Sequence, residues 1–235
     1  MNILGIIPVK STSRRLPKKN QLDLDGKPLF YYTIKSAKQS KLLNKIVVST
    51  DDENIANSSR KFGADVPFIR KKSLSRKNVT NFQVIKNLLK NLESDHAYIP
   101  DIVVLLQPTS PIRSCSVIDK TIKKLISSKA SSAITVKEIN ISTFFKKNKK
   151  YLIEVKENLE SPKNFTLYIP TGSVYVFWNR TIKQHNSIYG PKIIPMITKN
   201  EENLDIDTLY DFFTSYMTKK YWKSFQKNFL KPTKN

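Results

Sequence analysis

The chain has 235 residues, with 41 Lys and Arg against 19 Asp and Glu, a formal net charge of +22 and a single cysteine. That length suits one large domain, or one domain with a small appendage, with a substantial core rather than a disordered chain. Cys115 has no partner for an internal disulfide, and His96 and His185 are the only histidines, so a disulfide scaffold and a structural zinc module are excluded.

The opening residues carry no cationic leader, and no run of 18 apolar residues occurs, so the sequence reads as cytoplasmic and without a membrane partner. Its basic residues are scattered, at Lys71 and Lys72, Lys123 and Lys124, Lys146 to Lys150, and Lys219 and Lys220. The excess suits a solvated basic surface or a polyanion-binding face. Nucleic acid is the weaker partner, because no aromatic platform for stacked bases is evident.

In chain order, Ile3–Val9 is an apolar run of strand length, followed by a long cationic loop and a helix over 29–37. Lys45–Thr50 is the next strand, and residues 53–62 have helical spacing that stops at Gly63, completing a βαβ unit. Residues 66–69 are short and extended around Pro67, and 81–92 are helical through Val84, Leu88 and Leu92. The run 101–106, DIVVLL, lacks alternation and so reads as a strand buried on both faces. Ser116 is placed as the cap of a helix over 116–126, and 132–136 is strand-like. From 139 to 168 the pattern turns Lys-rich, aromatic and irregular, which marks an inserted lobe, with Phe144 and Phe145 as candidate interface residues. Core character returns at 172–178, then a strand over 192–197, a turn over 200–203 and a helix over 208–219. The alternation defines an α/β, doubly wound, mostly parallel sheet, with ligands expected at the carboxyl ends of its strands.

Three segments carry candidate chemistry. The loop PVKSTSRRLPKKN (8–20) sets five cations, three hydroxyls and a row of backbone N–H groups between a strand and a helix. It suits a triphosphate, or equally a solvated basic loop, and it lacks P-loop spacing. In LDIDT (204–208), an extended backbone would turn Asp205 and Asp207 to one face and Ile206 to the core. Such a carboxylate pair suits Mg²⁺ with substrate phosphates, unless Asp207 merely caps the following helix. In LLQPTSPIR (105–113), two prolines stiffen a loop that presents Gln107, Thr109, Ser110 and Arg113 at the ligand edge.

Together with GKPL (26–29), VVSTDDENIA (47–56), FGADVPFIR (62–70) and GSVYVF (172–177), these segments resemble the acylneuraminate cytidylyltransferase family, the CMP-sugar synthetases, from about residue 3 to 215. The resemblance implies a Rossmann-like sheet with 139–168 as a dimerisation lobe, a homodimer, and transfer of CMP from CTP to the anomeric hydroxyl of a nine-carbon keto-acid sugar with Mg²⁺. It assigns Lys10, Ser13, Arg14, Lys19, Asn20 and Arg70 to the nucleotide, Lys10, Lys19 and Asp207 to catalysis, Asp205 and Asp207 to the metal, and Gln107 to the sugar. Tyr175 and Phe177 sit on a strand whose side chains are mostly core, and Tyr175 is the one assigned to the sugar.

The chain departs from the family pattern in several places. Its loop has no glycine; Lys10 and Arg14 exchange the usual Arg and Lys; Lys77 stands where an aspartate is usual; and Ile169 replaces an arginine that binds the sugar carboxylate. Nucleotide features survive better than sugar features, which points to an acceptor other than N-acetylneuraminate. A 3-deoxy-octulosonate cytidylyltransferase and a basic nucleic-acid-binding protein are the rival readings.

Overall fold

In a computed structural model, residues 1–141, 145–148, 151–154 and 165–229 are described. Among the described residues eight strands and six α-helices follow in order: β1 (Ile3–Val9), α1 (Leu29–Lys38), β2 (Lys45–Thr50), α2 (Glu53–Lys61), α3 (Asn81–His96), β3 (Ile102–Leu106), α4 (Cys115–Ile126), β4 (Ser132–Ile141), β5 (Phe145–Asn148), β6 (Tyr151–Glu154), β7 (Phe165–Trp178), α5 (Asn179–His185), β8 (Ile193–Ile197) and α6 (Leu209–Phe229). Six strands form one sheet in the order β2-β1-β3-β7-β4-β8, and β5 pairs with β6 in a separate hairpin. β1, β2 and β3 run parallel, as do β4 and β8, while β7 enters antiparallel to both β3 and β4.

The central strands are apolar at nearly every position because both faces are covered. Ile3, Ile7, Val9, Val104, Leu106 and Val176 pack toward α1, α2 and α4. The alternate residues Leu4, Ile6, Val103, Leu105 and Phe177 pack toward α3 and α5. A third, smaller cluster of Leu16, Leu24, Leu29 and Ile206 lies outside the sheet, with Phe212 and Tyr216 of α6 against it. This cluster fastens the loop after β1 to the segment before α6, so packing brings together two stretches nearly 190 residues apart in sequence, as the Lys19–Asp207 contact across 188 positions shows.

Local chemistry sets the helix starts. Asp52 accepts from the Ile55 N–H, Thr80 and Gln83 form a reciprocal capping box, and Ser114 accepts from the Val117 N–H. The cap of α4 is therefore Ser114 and not Ser116, which lies inside the helix. Residues 66–69 form no strand; the chain there meets β2 through an isolated Val47–Asp65 bridge and the Arg70 N–H on the Thr50 carbonyl.

Pairing of β4 with β7 continues to Ile141↔Phe165, carrying both ends of the 139–168 segment into the sheet. Phe144 and the side chain of Phe145 lie outside the described residues. A register shift between Ile134 and Val136 leaves Thr171 to Val174 bulged opposite Thr135. The Thr135 hydroxyl fills the bulge, accepting from the Val174 N–H at 2.9 Å and the Thr171 hydroxyl at 2.8 Å.

Candidate active site

The carboxyl ends of β1 and β3, the stretch from Arg70 to the start of α3 and the segment before α6 converge on one cleft of about 280 Å³. Strand order reverses between β1 and β3, the position where open α/β sheets bind ligands. Lys10, Ser13, Lys19, Asn20, Arg70, Gln107, Asp205 and Asp207 all line this cleft. Arg14 lies just outside it, on an adjoining basin of about 660 Å³ that Lys10, Ser13, Lys19 and Asp207 also border. Tyr175 lines a further pocket of about 410 Å³, and Gln107 borders both this pocket and the cleft.

The glycine-free loop takes its shape without left-handed backbone at Ser11, Thr12 or Arg15; its one positive φ is 50° at Lys18. Side-chain hydrogen bonds do the shaping. The Asn20 amide donates to the Lys10 carbonyl at 3.0 Å, the Ser13 hydroxyl donates to the Leu16 carbonyl, and Asp51 accepts from both the N–H and the hydroxyl of Ser11, each at 3.0 Å. Asp51 also faces the Arg70 guanidinium at 3.7 Å. Burial pushes the Asp51 carboxyl up, but the Ser11 hydrogen bonds and the Arg70 charge outweigh it, so its pKa lies below the usual carboxylate value.

Arg70 is only 3% exposed and organises the cleft more than it reaches into it. Its guanidinium donates to the Ser49 carbonyl at 3.1 Å and to the Ser75 hydroxyl at 2.9 and 3.2 Å. Burial lowers its pKa, and Asp51 opposes that shift.

Ile206 is fully buried, so Asp205 and Asp207 turn together into the cleft, as an extended backbone requires. Asp207 does not cap α6. That work falls to Thr208 and Asp211: the Thr208 hydroxyl accepts from the Asp211 N–H, and the Asp211 carboxylate accepts from the N–H groups of Asp207 and Thr208. The Asp207 carboxylate is thereby left to pair with Lys19 and Arg15, each at 2.9 Å. Desolvation by the surrounding walls raises the Asp205 pKa and the Asp207 charge adds to the rise, while the Thr109 hydroxyl and Lys19 work against it. Gly172 is suited to the bulge by its φ of +75°, not by space: a Cβ there would make an ordinary 3.4 Å contact with Asp205 Oδ2.

Of the polar groups expected from the 105–113 loop, Gln107 and Thr109 line the cleft. Ser110 and Arg113 turn inward, and Arg113 instead ties the loop to β7 by donating to the Gln107 and Ser173 carbonyls. Tyr175 packs edge-on to Tyr189, and desolvation, with smaller contributions from Tyr189 and Asp205, pushes its hydroxyl up to about 12. Asp51, Arg76, Gly172 and the Thr208–Asp211 cap were not singled out from the sequence. Of these, Asp51 carried a usable signal, a carboxylate at the carboxyl end of a parallel strand, and so did the Thr208–Asp211 pair, spaced as a capping box.

A sheet of this order with cations and paired carboxylates at its switch point defines a nucleotidyltransferase-type site. The cytidylyltransferase family matches residues 4–224, and the chain belongs to that family. It is 31% identical to the CMP-N,N'-diacetyllegionaminic acid synthase of Legionella pneumophila, covering 90% of this chain and 94% of that one. It is also 31% identical to the pseudaminic acid cytidylyltransferase of Campylobacter jejuni, with 90% and 93% covered. With the N-acylneuraminate cytidylyltransferase of Escherichia coli it shares 29% identity over 89% of this chain and 50% of that protein. A CMP-2-keto-3-deoxy-manno-octonic acid synthetase solved with CTP has the same fold, with a TM-score of 0.68 at 14% identity over 93% of this chain and 98% of that one.

Proposed function

We propose that this cytidylyltransferase activates a nonulosonic acid. The anomeric hydroxyl of a nine-carbon keto-acid sugar attacks the α-phosphorus of CTP, an O–P bond forms, the bridging bond to the β-phosphate breaks with its electron pair leaving on pyrophosphate, and the hydroxyl proton is released. The carrying observation is the convergence of Lys10, Lys19, Asn20, Gln107, Asp205 and Asp207 on one cleft.

In this reading Lys10, Lys19 and Arg14 neutralise the triphosphate, Ser13 and Asn20 hold the loop around it, and Arg70 fixes the wall beside it. Each well-placed charge contributes about 3 kcal/mol to the transition state, where negative charge moves toward the leaving group. Gln107, standing between the cleft and the pocket that Tyr175 lines, orients the acceptor. In-line positioning of that acceptor supplies a further large share of the rate.

Two oxygen ligands facing one cleft fit Mg²⁺, which takes its other positions from phosphates and water, so Asp205 and Asp207 are the residues that would hold it. When bound, the ion would neutralise phosphate charge and lower the pKa of a coordinated hydroxyl. Lys19 and Arg15, both paired with Asp207, keep its carboxylate turned into the cleft.

The names of the two relatives at 31% identity support an acceptor of the legionaminic or pseudaminic type over N-acetylneuraminate. The chain is further taken to work in the cytoplasm as a homodimer joined through 139–168. The exposed Leu167, Tyr168 and Ile169 at the base of that segment support the dimer, which gel filtration with light scattering tests. Pyrophosphate release from CTP with Mg²⁺ across a panel of nonulosonic acids tests the transfer. One acid should stand out, and Asp207→Asn should lower its rate by about a hundredfold or more. Silence across the panel refutes the reading, and a clear preference for N-acetylneuraminate refutes the acceptor assignment.

A further inference from the structure

The last helix is longer than its seat. Ser215 is buried, and Phe212 and Tyr216 rest against the cluster of Leu16, Leu24, Leu29 and Ile206. Lys219 makes the last ion pair to the body, with Asp25 at 2.7 Å. Among the described residues, no hydrogen bond or ion pair joins 221–229 to another element, yet α6 continues to Phe229. The end of a helix without tertiary support frays in water, so its order depends on a surface that covers its apolar side.

That side is a continuous ridge. Leu209, Phe213, Met217, Tyr221, Phe225 and Phe229 recur at every fourth residue and are all exposed, from 40% at Met217 to 72% at Phe229. Trp222 stacks on Phe225 at 5.9 Å, and Phe225 on Phe229 at 4.2 Å. Lys220, Lys223 and Lys227 have the spacing of Trp222, Phe225 and Phe229 displaced by two residues, which puts them on the opposite flank. From 212 to 235 the sequence holds six lysines and no Asp or Glu.

We propose that α6 docks the protein on an anionic lipid surface, with its aromatic ridge in the boundary between headgroups and acyl chains and Lys220, Lys223 and Lys227 reaching lipid phosphates. Aromatic residues on one side and lysines on the other make a helix that lies in a membrane interface, a depth that tyrosine and tryptophan favour. The long lysine stems let the charges reach the headgroups while the rings go deeper. No helix of the described residues is long and apolar enough to cross a bilayer. The expectation of no membrane partner rested on that lack of a span, and a helix lying flat needs none. Charge selects lipid over a second copy, which would bring the same +22 and the same stretch without Asp or Glu, whereas an anionic surface is its complement.

The test is co-sedimentation of the full chain, at physiological salt, with vesicles of equal parts phosphatidylcholine and phosphatidylglycerol and with vesicles of phosphatidylcholine alone. The anionic vesicles should bind it more tightly by about tenfold or more, since each lysine near such a surface contributes about fivefold. Phe225→Ser and Phe229→Ser should each weaken that binding by about tenfold, the loss of one apolar side chain from the boundary, and Lys223→Gln by about fivefold. Lys129→Gln, which removes an exposed charge from the α4–β4 connection, should change it by less than about twofold. Lipid brominated along its acyl chains should quench the fluorescence of the parent more than that of Trp222→Phe.

Phe225, Phe229 and Lys223 are exposed, so the melting temperatures of these variants should match the parent. Equal affinity for the two kinds of vesicle overturns the docking. Anionic binding that Phe225→Ser and Phe229→Ser leave intact overturns it too, because the net charge alone then accounts for the attraction. A dimer that light scattering detects and Phe225→Ser dissociates would give the ridge to a second copy and sink the lipid contact. Turnover of CTP without vesicles reads the transfer reaction separately, and neither result decides the other.

Discussion

Removing one member of the Asp51–Arg70 pair should destabilise the protein out of proportion to the surface either side chain exposes. Their side chains are 7% and 3% exposed, so deleting one leaves the other charged in a poorly hydrated place. Breaking such a pair costs about 3 kcal/mol, at the lower end of its range here because Arg70 keeps its bonds to Ser49 and Ser75. In a chain of this size that is a fall in Tm of about 6–12 °C for Asp51→Ala. Arg70→Met should fall similarly. The double variant should lose less than the sum of the two by at least about 1 kcal/mol, since no unpaired charge remains. Differential scanning calorimetry on the four proteins reads all of this. The pair also has a pH signature. Because the folded-state pKa of Asp51 is depressed, its contribution is present above about 3.8, the usual aspartate value, and is lost as the pH falls through the lower folded value. Urea unfolding should therefore show a gap between wild type and Asp51→Ala at pH 7 that narrows at pH 3. Additive single effects, single variants melting within about 2 °C of wild type, or a gap that widens in acid would refute the reasoning.

Gly172→Ala should lower stability by about 1–2 kcal/mol, the cost of a Cβ at φ +75°, with no clash against Asp205. Gly26→Ala is the comparison, because φ there is +80° with nothing within 4 Å of the added carbon; thermal melts should show similar losses in the two variants, and no loss in either would refute the backbone account. Tyr175→Phe should raise the acceptor KM by roughly three- to tenfold, the worth of one neutral hydrogen bond. It should leave the kcat–pH profile between pH 6 and 9, about three units or more below the hydroxyl's pKa of about 12, unmoved; a displaced alkaline limb would show that this hydroxyl ionises in turnover.

The fold was legible wherever burial on both faces wrote an unbroken apolar run, as in Ile3–Val9 and 101–106, and wherever a helix ended on Gly63. Strand direction was less so. Nothing in GSVYVFW distinguishes a parallel from an antiparallel strand, and the stretch TLYIP (166–170) of β7 is too exposed to show a core pattern. α6 runs ten residues past the expected end at Lys219 because aromatic residues at Tyr221, Trp222 and Phe225 blur the helical period, while no proline intervenes before Pro232. At the site, the residues named from sequence converge because their positions at strand ends were readable. What holds them was not. Asp51 clamps Ser11 across 40 positions, a contact that only the folded chain makes, while Thr208 with Asp211, which relieves Asp207 of capping, is a local T-x-x-D pattern overshadowed by the paired carboxylates before it.

β7 runs against its neighbours, so the segment between β4 and β7 leaves and rejoins the sheet at the same edge as the cleft, its base already zipped at Ile141↔Phe165. An excursion closed at its own foot can grow or shrink cheaply, since doubling its length adds only about 0.6 kcal/mol of closure entropy. The register of the sheet beneath is untouched by such changes. The architecture therefore divides the chain into a continuous sheet that carries the cleft and a segment rooted in it at Ile141 and Phe165, whose length can change without refolding the sheet.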